Sequence, residues 1–165
     1  DRPFLTIPAK ASAGSTLETL NIIDGELPEY NVLREAEVGT LTYQRTLPNQ
    51  EWNALYLPFE IPLSELEADY EVAYFNDMHS YDRNRDGEID ELEMEIILID
   101  EGTLHANHPY FIRATSDDAK DLELVLNDVT ICETENAQLT CSSVYTKFDL
   151  NGSYAKKSAA ELEGC

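Results

Sequence analysis

The sequence predicts an all-β fold, an antiparallel β-sandwich of the jelly-roll or immunoglobulin-like kind. Short runs rich in Leu, Ile, Val, Thr, Tyr and Phe recur along most of the chain. Gly, Pro, Asn or Asp punctuate the gaps, at the spacing of roughly 8–12 residues that sandwiches and barrels share. A single stretch, "PLSELEADY" (62–70), has helical character.

The runs follow one another in order. "LETLNII" (17–23) stops at the turn signal Asp24-Gly25, and "EYNVLR" (29–34) follows. In "VGTLTYQRTL" (38–47), Leu41, Tyr43 and Arg45 alternate with Thr40, Thr42, Gln44 and Thr46, the period of a half-buried strand. "EWNALYLPFEI" (51–61) is apolar and aromatic at nearly every position, which predicts a central strand covered on both faces. Pro62 and the Ser64-Glu65-Leu66-Glu67 sequence predict a single capped helical turn. "YEVAYF" (70–75), "MEIILI" (94–99), "YFIRA" (110–114), "LELVLN" (122–127), "VTIC" (129–132), "QLTC" (138–141) and "YTKFDL" (145–150) complete the series. Residues 1–16, with "ASAGST", read as a tail or a lone edge strand, and 17–165 as one sandwich domain.

Charge narrows the partners. The 165 residues carry 11 basic and 33 acidic side chains, a net charge of −22. Such a surface repels nucleic-acid phosphates and anionic lipid headgroups and attracts cations. It suits a soluble protein outside the cytoplasm, against the plainer alternative that acidity only keeps the chain soluble. No run of about 18 apolar residues exists to span a bilayer, and "DRPFLTIPAKASAG" lacks the basic start and apolar core of a signal peptide. The chain begins with Asp, as a mature or excised piece does. Cys132, Cys141 and Cys165 make an odd count, so Cys132 and Cys141 either pair across a hairpin or are two small buried residues. No CxxC pair points to zinc.

The most specific signal is D-R-N-R-D-G-E-I-D-E-L-E, residues 82 to 93. A twelve-residue calcium loop takes oxygens from positions 1, 3, 5, 7, 9 and 12, with glycine at 6 for the sharp turn. Asp82, Asn84, Asp86, the Glu88 carbonyl, Asp90 and Glu93 fill those places, with Gly87 at the turn and Ile89 at the apolar eighth position. Arg83 and Arg85 fall between the ligands, where they point outward and offset part of the charge. The flanks are not those of an EF-hand: Met94 to Ile99 is β-branched and alternating, and no second loop exists for Ile89 to pair with. The expectation is an EF-hand-like loop joining two strands and holding one structural Ca2+, against the plainer alternative of an acidic turn without an ion.

Other chemistry is thin. His105 and His108 would face one way only on a helix, and Asn107 and Pro109 make that segment a loop, so surface histidines are expected. Trp52 and Tyr110 head a set of aromatics, with Tyr43, Tyr56, Phe59 and Tyr74, that either stack on a sugar or fill the core; core is the commoner fate. Asn151-Gly152-Ser153 matches a glycosylation sequon. No nucleophile elbow, P-loop, dinucleotide fingerprint or HExxH is present.

"LTYQRTLPNQEWNALYLPFEI" (41–61) resembles a β-rich domain of surface and secreted proteins of Bacteroides-type bacteria, often placed C-terminal to leucine-rich or immunoglobulin-like repeats. The shared pattern, tYxRtfxNxxWqALYvPF, is matched through Tyr43, Arg45, Thr46, Asn49, Trp52, Ala54, Leu55, Tyr56, Pro58 and Phe59. The likeness continues through the Asp-rich loop to "GTLHANHPYFIRA", and more loosely to "CSSVYTKFDLNGSY". It implies a bacterial cell-surface or extracellular setting, and further strands beyond residue 165. It assigns no ligand to the loop.

The expectation is therefore a non-catalytic, calcium-stabilised accessory or adhesion domain of a larger chain, meeting glycans or cell-surface proteins. A carbohydrate-binding module built on Trp52 or Tyr110 is the first alternative, and a hydrolase with an unrecognised carboxylate site the second.

Overall fold

The computed structural model describes residues 5–7, 16–24, 30–32, 34–47, 50–66, 69–117, 121–133, 138–142 and 147–151. Thirteen strands are described: β1 (Leu5–Ile7), β2 (Thr16–Ile23), β3 (Tyr30–Val32), β4 (Ala36–Thr46), β5 (Asn53–Leu55), β6 (Ile61–Pro62), β7 (Tyr70–Tyr81), β8 (Glu91–Ile99), β9 (Thr103–Leu104), β10 (Tyr110–Ala114), β11 (Asp121–Ile131), β12 (Gln138–Ser142) and β13 (Lys147–Asn151). The all-β expectation holds. Two sheets matter most, one ordered β11-β4-β2 and one ordered β5-β10-β7-β8. Their inner faces share one apolar core: Leu41, Tyr43, Leu124 and Ile22 from the first meet Val72, Ile112 and Tyr110 from the second. Burying each large apolar side chain contributes roughly 1.5–3 kcal/mol, which is the main force holding the layers together.

The pairing is mixed rather than wholly antiparallel. β2 runs parallel to β4, and β1 parallel to β3. Residues 5–7, expected as tail or lone edge, thus form a strand paired to β3.

β4 shows how one glycine shapes the first sheet. Its buried positions are Ala36 and Val38, then Leu41 and Tyr43, so the inward phase switches by one residue at Gly39. The register with β11 has the same offset on both sides of the switch, and Asp128, level with Gly39 where the ladder skips a pair, takes φ 54°. A Cβ at Gly39 would lie 3.0 Å from the Glu18 carbonyl oxygen of β2. Only a residue without Cβ lets the strands approach there.

Residues 51–61 depart from the expected central strand. Asn53–Leu55 is a short edge strand, and 55–59 then run as irregular chain through the core, all buried. Pro58 has no N–H to give to a ladder. Two carbonyls of this segment are satisfied from outside the sheet: Leu57 O accepts from Asn107 N at 2.7 Å, and Pro58 O from Cys132 N at 2.7 Å. Buried backbone must find such partners.

The expected helix contracts to one 3-10 turn, Leu63–Glu65, with Pro62 ahead of it and no side-chain cap. The Leu63 amide bonds Gly102 O at 3.0 Å instead.

β7 and β8 form an antiparallel hairpin interrupted by a bulge between Phe75 and Asp77. β10 pairs with β7 only from Tyr70 to Tyr74. Beyond the bulge the hairpin leaves the core, and from Asn76 to Glu95 no residue is buried. The Asp-rich segment lies at its tip.

Candidate functional site

The tip loop spans residues 82–90 between β7 and β8, as a turn joining two strands. It is shorter than the twelve-residue reading, because β8 begins at Glu91. Asp82 is its hub: Oδ1 accepts from Asp86 N at 3.2 Å and Oδ2 from Gly87 N at 2.9 Å. Asn84 Oδ1 also accepts from Asp86 N, at 2.9 Å, and Asp86 Oδ1 accepts from Glu88 N at 2.8 Å. Asp90 Oδ2 closes the far side on the amides of Arg83 and Asn84, at 2.7 and 3.2 Å. Such tight curvature needs left-handed backbone, found at Arg85 (φ 64°) and Gly87 (φ 94°). At Gly87 the surrounding space is open, so conformation alone favours glycine there.

Glu93, the expected twelfth ligand, sits in β8 opposite His79, two strand positions or roughly 7 Å past the start of the strand. Its Oε2 accepts from the Tyr81 hydroxyl at 2.9 Å, a bond that raises the pKa of that phenol. An EF-hand returns its last ligand on a helix; a strand carries it away from the loop. Among the described residues no three His, Cys, Asp or Glu side chains converge as a metal-ligating group. The oxygens that fit a hard cation by type are those of Asp82, Asn84, Asp86, Asp90 and the Glu88 carbonyl, within nine residues.

The two arginines lie exposed outside this cluster. Arg83 donates through Nε to Glu91 and lies 5.2 Å over the Tyr81 ring. That bond holds the Glu91 carboxyl below the usual carboxylate range.

The aromatic set is mostly core. Tyr43 and Phe59 meet edge-to-face at 5.9 Å, both buried, and Tyr56 is buried with them. Tyr110 is 7% exposed, and its hydroxyl accepts from His105 N at 3.0 Å, so it offers no sugar-stacking face. Trp52 is half-buried beneath the Arg113 guanidinium, 4.6 Å from the ring centre, and Arg113 also bonds Glu71. This Trp52–Arg113–Glu71 cluster joins residues far apart in sequence, and no local pattern announced it.

His105 and His108 line an open groove of about 470 Å³ with Glu35, Asn107, Cys132 and Glu133. His105 Nδ1 is 3.1 Å from Glu60 Oε1. His108 packs on Tyr110 at 4.8 Å, and burial, with His105 nearby, lowers its pKa. His79 lies 3.6 Å from Glu95 on the facing strand. Among the described residues no polar or charged residue is buried. Cys141 lies in β12, whose side chains fall outside the described set, as do Cys165 and most of the sequon; the pairing of Cys132 with Cys141 lies outside the described residues too. No described helix is long and apolar enough to cross a membrane.

No protein-family model, curated protein or solved structure matches the chain.

Proposed function

We propose that this chain is a non-catalytic accessory or adhesion domain of a bacterial cell-surface or secreted protein, with one calcium ion stiffening the tip of its β7–β8 hairpin. One observation carries the ion: the loop backbone already wraps Asp82, with the Asp86 and Gly87 amides turned onto its carboxylate. Asp82, Asp86, Glu88 and Asp90 also crowd four negative groups into nine residues. Unit charges about 4 Å apart repel by about 1 kcal/mol even in water, so a divalent cation has a favourable place among them. Asp82, Asn84, Asp86, Asp90 and the Glu88 carbonyl would hold it, Glu93 joining by giving up Tyr81. The ion would supply charge neutralisation and order.

The surface setting rests on the resemblance of residues 41–61, on the net charge of −22, and on no other observation. Burial of Tyr110 and the arginine cover on Trp52 weigh against the sugar platform. A groove open to solvent, without buried polar groups among the described residues, lends nothing to a hydrolase.

Calorimetric titration of calcium into chelator-treated protein, with thermal melts alongside, tests the ion. Saturable one-site binding that raises the melting temperature and vanishes in Asp86→Ala is the expected result. No heat and no shift overturns it.

A further inference from the structure

We propose that the outer edge of β8 is a docking site for an extended peptide segment of a partner protein, one in which apolar and basic side chains alternate. This supplies a surface and a partner chemistry for the adhesive part of the function proposed above, and it does not require the ion.

β8 ends the four-stranded sheet, and among the described residues nothing pairs with its outer side. The main-chain N–H and C=O groups along that side are therefore open to another strand. Natural edges are normally blunted by shortness, proline, charged side chains (lysine above all) or bulges. β8 is nine residues long with no Pro and no Lys, and its charges are three glutamates confined to one face, which a basic partner strand neutralises.

Its side chains are sorted by face. Leu92, Met94, Ile96 and Leu98 occupy alternate positions and so share one face of the ribbon. Leu92 and Leu98 are 54% and 57% exposed, and Met94 43%. Of the eight large apolar residues exposed on the described surface, six belong to this hairpin and its tip. Scattered single exposed apolar residues need no explanation; a row on one strand does. The opposite face carries Glu91, Glu93 and Glu95, all exposed, over the half of the strand nearest the tip, and Ile97 and Ile99 over the half nearest the core.

That sorting selects the occupant. Residues directly opposite on paired strands share a face, so a strand added to β8 places alternate side chains against the glutamates and the others against the apolar row. Lysine or arginine opposite the glutamates, with aliphatic residues between, matches both. A second copy of this chain matches the apolar row but not the charge. Antiparallel two-fold pairing centred on residue 93, 94 or 95 sets a glutamate directly opposite a glutamate, and each copy carries −22. Like charges directly opposite are destabilising.

The test uses the full chain, labelled for amide hydrogen exchange, and a synthetic peptide of alternating lysine and valine as long as the nine residues of β8. Lysine–serine and glutamate–valine peptides are the comparisons, and every titration is run with calcium and with chelator. The lysine–valine peptide is expected to slow exchange of the outward amides of β8 and to bind about tenfold tighter than either comparison. Leu92→Gln with Leu98→Gln, both at exposed sites that leave the core intact, is expected to weaken it about fivefold. Equal binding of lysine–serine peptide, protection elsewhere than β8, or protection that grows with protein concentration alone would overturn the proposal, the last in favour of a second copy. Loss of the calcium response leaves these readouts unchanged, so failure of the ion and failure of the edge are told apart.

Discussion

The two-sheet core and the β7–β8 hairpin beyond its bulge are built from similar residues to opposite ends. Ile112, on β10, is fully buried between the sheets; Leu92, on β8, is 54% exposed opposite Ser80, beyond the bulge. In the core the apolar phase of each strand meets a second layer. In the hairpin it meets solvent, because β10 stops pairing at Tyr74 and β7 is the one described strand that pairs with β8. Aliphatic content alone therefore does not distinguish a structural strand from one free to bind. Position relative to the second layer does.

The largest effect is expected in the core. Ile112→Ala removes a fully buried side chain and is expected to cost about 2–5 kcal/mol of global stability by urea denaturation. A loss under about 1 kcal/mol would mean that the sheets do not share the core described here.

At the hairpin tip the expected effects are smaller and local. Calcium at about a hundred times its dissociation constant should stabilise the protein by about 2.7 kcal/mol if it binds only the folded loop. Asp86→Ala should abolish that gain while leaving the ion-free melting temperature nearly unchanged. Gly87→Ala forces a Cβ into left-handed backbone, φ 94°, at a cost of roughly 1–2 kcal/mol. Faster amide exchange confined to 77–95, with the core unmoved, would place that cost in the hairpin alone; a global loss would show the tip coupled to the sheets.

The smallest effect expected is the pH response of His108. Burial first, and the neighbouring His105 second, set its folded pKa below the ordinary 6.5. The unfolded chain then takes up a proton before the folded one does. Stability should be level above pH 6.5 and decline below it until the folded pKa is passed. His108→Gln should flatten that decline in melts across the window, whereas an unchanged slope would assign it to the carboxylates.

Much of this was legible locally. The run 110–114 and the boundaries near 17–23 and 122–132 follow from alternation and punctuation, and the structure places strands there. The 82–93 motif marked a tight acidic turn between two strands, which is where the chain turns. Three things were not legible, each for a non-local reason. Residues 55–59 look like a central strand because all are apolar, yet burial on every side is equally the mark of chain threaded through a core. Tyr110 and Trp52 looked equivalent, and distant partners decided their exposure: the sheet covers one and Arg113 the other. The parallel pairing of β2 with β4 leaves no trace in either strand.

By itself, the sequence determined the quantities that depend on neighbours along the chain: strand content, the left-handed need at Gly87, the crowding of carboxylates around Asp82, and a net charge of −22. Tertiary structure alone decided which strand became an edge. Hydrogen-bond pairing is a contest among all strands for a place in a sheet, and β8, flanked by β7 on one side only, was left with its apolar row exposed.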